Sequence, residues 1–157
     1  MENPSKKPVQ SPVIDDKKRQ ELSQKYMELQ MLDSQIKQIQ AQAQAFEAQV
    51  IEVEKISQSL DELGNVKAGT EIFVPVAQGI FAKAELKENK DLIVAVGGAS
   101  AVSKPISGVK EMLVNQIVEI RKFQQEMAKQ LEKLAFEADK VEHSLTHLLE
   151  GTTCEHH

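Results

Sequence analysis

The spacing of apolar residues changes twice along the 157 residues of this chain. From 22 to 60 and again from 113 to 148, apolar side chains recur every three or four residues, as in a heptad repeat. Between 70 and 104 they come in short runs that turn residues interrupt. Sustained heptads predict coiled-coil helices, and short β-rich runs between turns predict strands. The pattern therefore predicts a helix, a β insert and a second helix.

The first helix is predicted over 16–64, where Asp15 or Asp16 can cap its start and Gly64-Asn65 can end it. Apolar residues fill most of its a and d positions. The a series is Leu22, Leu29, Ile36, Ala43, Val50 and Ser57, and the d series is Lys25, Leu32, Ile39, Phe46, Val53 and Leu60. This segment is predicted to form one half of a coiled coil.

The second helix is predicted over 107–150, with Ser107 as its cap and Gly151 as its stop. Its a series is Ile117, Gln124, Leu131, Ala138 and Leu145, and its d series is Leu113, Ile120, Met127, Leu134, Val141 and Leu148. Two helices of similar length that leave one small β unit are expected to pair in antiparallel fashion. That pairing predicts Glu54 near Arg121. The alternative is two parallel homodimeric coils, one for each helix.

The β insert, 70–104, is predicted to form two hairpins, 71–77 with 80–86 and 91–96 with 101–104. Several of its strands are apolar on both faces, and isolated hairpins are marginally stable in water. Exposed strand edges also invite pairing with other chains. The insert is therefore predicted to be an assembly module. Its assembly residues are predicted to be Ile72, Val74, Val76, Ile80, Phe81, Leu92, Val94 and Val96.

The antiparallel pairing also predicts that both chain ends meet at one tip of the coiled coil. Because coiled-coil ends fray, apolar groups there are partly available to another protein. The predicted tip residues are Leu22, Tyr26, Leu29, Leu134, Val141, Leu145, Leu148 and Leu149. The alternative is that these residues simply complete the seam between the helices, and the two roles are compatible.

Composition narrows the class of protein. Only 4% of the residues are aromatic and none is Trp, which is typical of coiled coils and unlike a globular core. The net charge of −5 predicts no nucleic-acid partner. No apolar run approaches the length of a membrane span, and no signal-peptide core is recognisable. The single Cys154 fits a reducing compartment, so a soluble cytoplasmic protein is predicted.

Candidate chemistry is sparse, so no catalytic residue, cofactor or metal site is predicted and the chain is not expected to be an enzyme. Gly97-Gly98 lacks the companions of a phosphate-binding loop and is predicted to be a turn. His143 and His147 lie four residues apart on the second helix, and Cys154, His156 and His157 follow. Such groups can bind zinc or nickel adventitiously, but a solvated helix face is favoured. Residues 1–15, which contain Pro4, Pro8 and Pro12, and residues 151–157 are predicted to be flexible tails.

The strand motifs are more specific than the heptads. Residues 71–76 (EIFVPV), 79–84 (GIFAKA) and 92–99 (LIVAVGGA) closely resemble the central region of the prefoldin alpha-subunit family in its archaeal type. Two hairpins, rather than one, favour the alpha class over the beta class. With the heptads included, the resemblance extends over about 22–150. Pro75 inside a strand fits an edge or a bulge.

The resemblance implies a hexamer of two alpha and four prefoldin beta subunits, in which the hairpins combine into a β-barrel platform. It implies an α+β fold in which a long antiparallel two-helix coiled coil is joined by these two β-hairpins. It further implies an ATP-independent holdase that captures non-native client proteins at its coiled-coil tips and passes them to a group II chaperonin. The alternative function is a coiled-coil scaffold or adaptor that binds one folded partner.

Overall fold

The computed structural model describes residues 16–153 as two long helices with two β-hairpins between them. Helix α1 spans Asp16–Gly64 and helix α2 spans Ile106–Thr153. The strands are β1 (Glu71–Ala77), β2 (Ile80–Glu85), β3 (Asp91–Gly97) and β4 (Ser100–Pro105). Within these residues β1 pairs with β2 and β3 pairs with β4, each in an antiparallel two-stranded sheet. The predicted α+β architecture is confirmed. The predicted N-terminal tail, 1–15, and residues 154–157 of the predicted C-terminal tail, 151–157, lie outside the described residues.

Burial along both helices follows the heptads. The a and d positions from Leu22 to Leu60 and from Leu113 to Leu148 are buried or half-buried, including the polar Lys25, Ser57 and Gln124. The positions between them are almost all exposed. This is the burial expected of a narrow coiled-coil seam, in which only two residues of every seven face the partner helix.

The chain divides into two compact units. In the first, built from segments 16–41 and 127–153, Leu32 packs with Val141 and Leu145. The half-buried residues Leu22, Leu29, Leu134 and Ala138 pack against this cluster. The second unit, 42–126, contains the hairpins and buries Val50, Val53 and Ile120. We call these the terminal unit and the hairpin unit.

The helices of one chain pair with each other in antiparallel orientation. In the hairpin unit, Glu47 of α1 forms an ion pair with Arg121 of α2, whereas Asp61, later in α1, pairs with Lys110, earlier in α2. Phe46 stacks on Phe123 with a centroid separation of 6.1 Å. This intrachain packing rules out the alternative of separate parallel coils.

The predicted proximity of Glu54 to Arg121 is wrong. Arg121 donates to Glu47 at 2.8 Å, one heptad earlier in α1. The register is set where the helices meet the hairpins. Gly64, the last residue of α1, lies beside Ile106, the first residue of α2, since a Cβ placed on Gly64 would be 3.6 Å from Ile106 Cδ1. Arg121 lies 15 residues beyond Ile106, whereas Glu47 precedes Gly64 by 17 residues and Glu54 by only 10. The helix exit therefore sets the register, and the heptad pattern alone leaves it open by multiples of seven.

The ends of α2 also differ from their predicted places. The helix begins at Ile106, directly after Pro105, so Ser107 lies inside the first turn and is not the cap. A residue that precedes a proline is disfavoured in the helical conformation, so Lys104 stays extended in β4 and the helix does not begin before Pro105. At the other end, α2 continues through Gly151 to Thr153. One glycine lowers helix propensity by only about 1 kcal/mol, which is not enough to end a helix.

Both hairpins carry an irregularity at the turn end. The register shifts between Pro75 and Ala77 in the first hairpin and between Ala95 and Gly97 in the second. The expected bulge or edge position of Pro75 is thus confirmed, since a bulge tolerates a residue that cannot donate to the ladder. Gly79 turns the first hairpin with φ +80°, a conformation that glycine adopts without steric cost.

The loop between the hairpins is tied to the end of α1 by one side chain. The Asn89 amide nitrogen donates to the backbone carbonyl oxygens of Leu63, Gly64 and Val66, at 3.2, 2.9 and 2.8 Å. Carbonyls at a helix C-terminus have no partner inside the helix, so another group must satisfy them. From the segment that joins β2 to β3, Asn89 fills that role for Gly64 and adds a second bond at Leu63, whose carbonyl also accepts from the Val66 N–H.

Candidate interaction surfaces

The first hairpin exposes apolar side chains on both of its faces. Cross-strand pairing places Ile72 opposite Ala84 and Val74 opposite Ala82 on one face. The other face pairs Phe73 with Lys83 and Pro75 with Phe81. Because a two-stranded ribbon cannot cover its own faces, both are accessible in a single chain.

The aromatic face of this hairpin forms an open depression. Phe73 and Phe81 are 64% and 61% exposed, and together with Lys83 they line a cavity of about 520 Å³. Exposed aromatic rings on an otherwise charged face mark a surface that another chain can cover.

The second hairpin is similarly uncovered. Ile93, which pairs with Ser103, is 81% exposed, the highest value among the large apolar residues that the structure describes. Val96 and Val102 are also exposed, whereas Leu92 and Val94 are half-buried. We call the exposed apolar residues of β1–β4 the hairpin surface.

The predicted assembly residues divide by exposure. Five of them are exposed, namely Val74, Val76, Ile80, Phe81 and Val96. Three are half-buried, namely Ile72, Leu92 and Val94. The prediction omitted Phe73 and Ile93, although both are apolar residues inside predicted strands. Strand alternation was the signal for Phe73. Side chains two residues apart lie on the same face of a strand, so Phe73 shares a face with Pro75, and Pro75 pairs with Phe81 on the neighbouring strand. A role in assembly remains a prediction for the whole set.

The predicted tip residues also divide. Val141 and Leu145 are buried in the seam of the terminal unit, and Leu22, Leu29, Leu134 and Leu148 are half-buried. Only Tyr26 and Leu149 are exposed. For Val141 and Leu145, burial favours the alternative that they complete the seam. Contact of any of these residues with a client remains a prediction.

Other exposed apolar residues of the terminal unit lie outside the seam positions. Met27 and Met31 are 64% and 63% exposed and are four residues apart, so they share one face of α1. Phe136 of α2 is 60% exposed, and the Lys140 ammonium lies 4.5 Å from its ring centroid. The sequence signal for these residues was an apolar side chain at an outer heptad position. We call Tyr26, Met27, Met31, Phe136 and Leu149 the terminal surface.

Within residues 16–153, no group of three or more His, Cys, Asp and Glu side chains is arranged to hold a metal ion. Over the same range, neither helix has an apolar stretch long enough to cross a membrane. The features that stand out in the described part of the chain are therefore the two apolar surfaces.

Comparison with known proteins identifies the fold and the family. The family model for the prefoldin subunit matches residues 32–150, about three quarters of the chain. The chain belongs to the prefoldin family. It is therefore a prefoldin chaperone subunit, and the adaptor alternative is not favoured.

Archaeal alpha subunits are among its relatives. Prefoldin subunit alpha of Methanobrevibacter smithii is 35% identical over 98 residues, which cover 62% of this chain and 66% of the relative. Prefoldin subunit alpha 1 of Methanocaldococcus jannaschii is 32% identical over 116 residues, 74% of this chain and 79% of the relative. The resemblance to the archaeal alpha class is thus confirmed.

A solved prefoldin structure shares the fold. The cryo-EM structure of filamentous PFD from Methanocaldococcus jannaschii superposes with a TM-score of 0.70 at 13% identity. The match covers 76% of this chain and 98% of that chain. Two long helices that flank small antiparallel strand pairs are therefore a prefoldin fold.

Proposed function

We propose that this chain is the alpha-type subunit of a prefoldin hexamer, in which two copies combine with four beta subunits. The hairpin surface supports this proposal because its aromatic and aliphatic side chains are exposed on both faces of each ribbon. Burying a side chain such as Phe73 or Ile93 stabilises an assembly by about 1.5–3 kcal/mol. Closing strands from several chains into a barrel would cover these groups and remove the free edges.

The assembled complex acts as an ATP-independent holdase that captures non-native proteins and passes them to a group II chaperonin in the cytoplasm. One observation carries the capture step. The terminal unit has a buried seam, yet it leaves five large apolar side chains 46–64% exposed. Two of them are methionines, whose flexible thioether chains adapt to varied apolar partners.

Capture by such groups is weak at any one site and strong in combination. Each chain offers only a few apolar side chains, so a single contact with a client is readily released. Several subunits that hold one client raise the effective concentration of one another's surfaces. This mode of binding requires no nucleotide, and a client can be released to another chaperone one contact at a time.

The double variant Met27→Gln/Met31→Gln tests the capture step. Glutamine has a similar length and helix propensity, so the helix is retained while its apolar contact is lost. In complexes assembled with the partner subunits, we expect this variant to reduce protection of an unfolding client, measured by light scattering. The matched control is Met112→Gln, an exposed methionine of α2 in the hairpin unit, which should leave protection unchanged. Equal protection by the double variant and the native complex would refute capture through these residues.

A further inference from the structure

The outer face of α2 also carries two imidazoles to which the proposed function assigns no role. His143 and His147 are both exposed and lie one helical turn apart in the terminal unit. Their ring centroids are 6.0 Å apart and the ring planes meet at 74°. We propose that these two imidazoles form a chelating site for a late first-row divalent metal ion such as Ni²⁺, Cu²⁺ or Zn²⁺.

The geometry of the pair suits a shared ion. Two imidazoles bound to one metal ion through bonds of about 2.1 Å have ring centroids about 5 Å apart in tetrahedral geometry and about 4.5 Å apart at adjacent positions of an octahedral or tetragonal ion. The observed separation of 6.0 Å exceeds these values by about 1–1.5 Å. Since both side chains are exposed, a small rotation about their side-chain bonds closes that gap without any backbone movement. Two histidines at this helical spacing are also the metal-binding pair of helical zinc sites.

The helix that holds the pair is fixed from its other side. Val141 and Leu145, which alternate with the histidines along α2, are buried against α1. The backbone that carries both imidazoles is therefore already helical before metal arrives, so little conformational freedom is lost on binding.

The surrounding charges favour a cation. Asp139 and Glu142 lie within one turn of His143, and Glu150 lies within one turn of His147. The cation on the same turns, Lys140, is held over the ring of Phe136. Imidazole ligands select the later first-row ions over Mg²⁺ and Ca²⁺, which prefer oxygen ligands.

The proposed site has two protein ligands, and the residues around it do not suit catalysis. No third His, Cys, Asp or Glu completes the ligand set among residues 16–153, so water fills the remaining positions. The intervening residues are Ser144, Leu145 and Thr146, which include no carboxylate to serve as a general base. An ion bound here links two successive turns of α2 and stabilises the end of that helix by mass action.

The test uses the full-length chain with Cys154→Ser, His156→Ala and His157→Ala, so that the tail cannot coordinate metal. Calorimetric titration with NiCl₂ should show one equivalent bound to each chain, and titration with MgCl₂ should show none. His143→Ala or His147→Ala in this background should weaken Ni²⁺ binding more than about tenfold, because a single imidazole loses the effective concentration of the second. Thr146→Ala, an exposed change on the same turn, should leave the affinity unchanged.

Thermal unfolding supplies a second measurement. Saturating Ni²⁺ should raise the Tm of the tail-substituted chain and leave that of its His143→Ala derivative unchanged. The proposal is overturned if the tail-substituted chain binds no Ni²⁺, or if either histidine variant binds Ni²⁺ as tightly as its parent. Neither result would bear on client protection, which depends on the terminal surface.

Discussion

Replacement of Asn89 should destabilise the hairpin unit through the end of α1. The side-chain amide donates to three carbonyl oxygens, of which the bonds to Leu63 and Val66 are partly buried and the bond to Gly64 is exposed. After Asn89→Ala, the Leu63 carbonyl keeps the bond that it accepts from the Val66 N–H, and water can reach the exposed Gly64 carbonyl. The partly buried Val66 carbonyl loses its bond from the amide. The amide has two N–H groups, and the loss of their bonds at about 0.5–1.5 kcal/mol each lowers the free energy of unfolding by about 1–3 kcal/mol. For a chain of this length, that corresponds to a fall in Tm of roughly 2–12 °C.

The variant Asn89→Asp tests whether Asn89 stabilises the hairpin unit as a hydrogen-bond donor. A carboxylate has nearly the same shape as the amide but only accepts hydrogen bonds. It would place negative charge beside three carbonyl oxygens at the negative end of the helix dipole. We therefore expect Asn89→Asp to be less stable at neutral pH than Asn89→Ala, as measured by circular dichroism during heating.

The neighbouring substitution Glu88→Ala is the control for this pair. Glu88 is exposed and has no hydrogen bond or ion pair within the described part of the chain. Its removal should shift the Tm by less than about 2 °C. If Asn89→Asp unfolded at the native temperature, the amide would not be holding the helix end and the reasoning would fail.

Two further predictions concern the helix pair. The hydrogen bond from Gln124, together with the hydrogen bond and charge of Arg121, lowers the pKa of Glu47 below its ordinary value. The ionised Glu47 carboxylate therefore stabilises the folded chain at neutral pH, and this stabilisation is lost as pH falls through the lowered pKa. Glu47→Gln should therefore reduce the loss of Tm between pH 7 and pH 3, whereas an unchanged acid dependence would contradict the pairing. Val50→Ala removes two methyl groups from a fully buried site and should cost about 1.5–2 kcal/mol in chemical denaturation. The same change at Val114, which is 56% exposed, should be nearly neutral.

The seam and the hairpins could be predicted from the sequence because each depends on local spacing. Heptad positions place Leu32 and Val141 on the buried side of any paired helix, whatever the partner's register. Turn residues such as Gly79 similarly fix where a strand must reverse. These features require no knowledge of distant parts of the chain.

Contacts between distant segments could not be predicted in the same way. A heptad repeat fits its partner equally well after a shift of seven residues, so it could not distinguish Glu47 from Glu54 as the partner of Arg121. Asparagine is common in turns, so the sequence around Asn89 predicts only a loop. Its hydrogen bonds to the end of α1 depend on where the hairpins lie relative to that helix. Met27 and Met31 lie at outer heptad positions, where the seam pattern predicts solvated side chains and therefore does not indicate an apolar surface.

The native mass of the complex that contains this chain tests the central claim most directly. The complex should be purified under non-denaturing conditions from the cells that make it and measured by native mass spectrometry. We expect a hexamer that contains two copies of this chain and four copies of a second coiled-coil subunit. A homodimer without any second subunit would contradict the proposed assembly and would leave the exposed side chains of Phe73 and Ile93 without a partner.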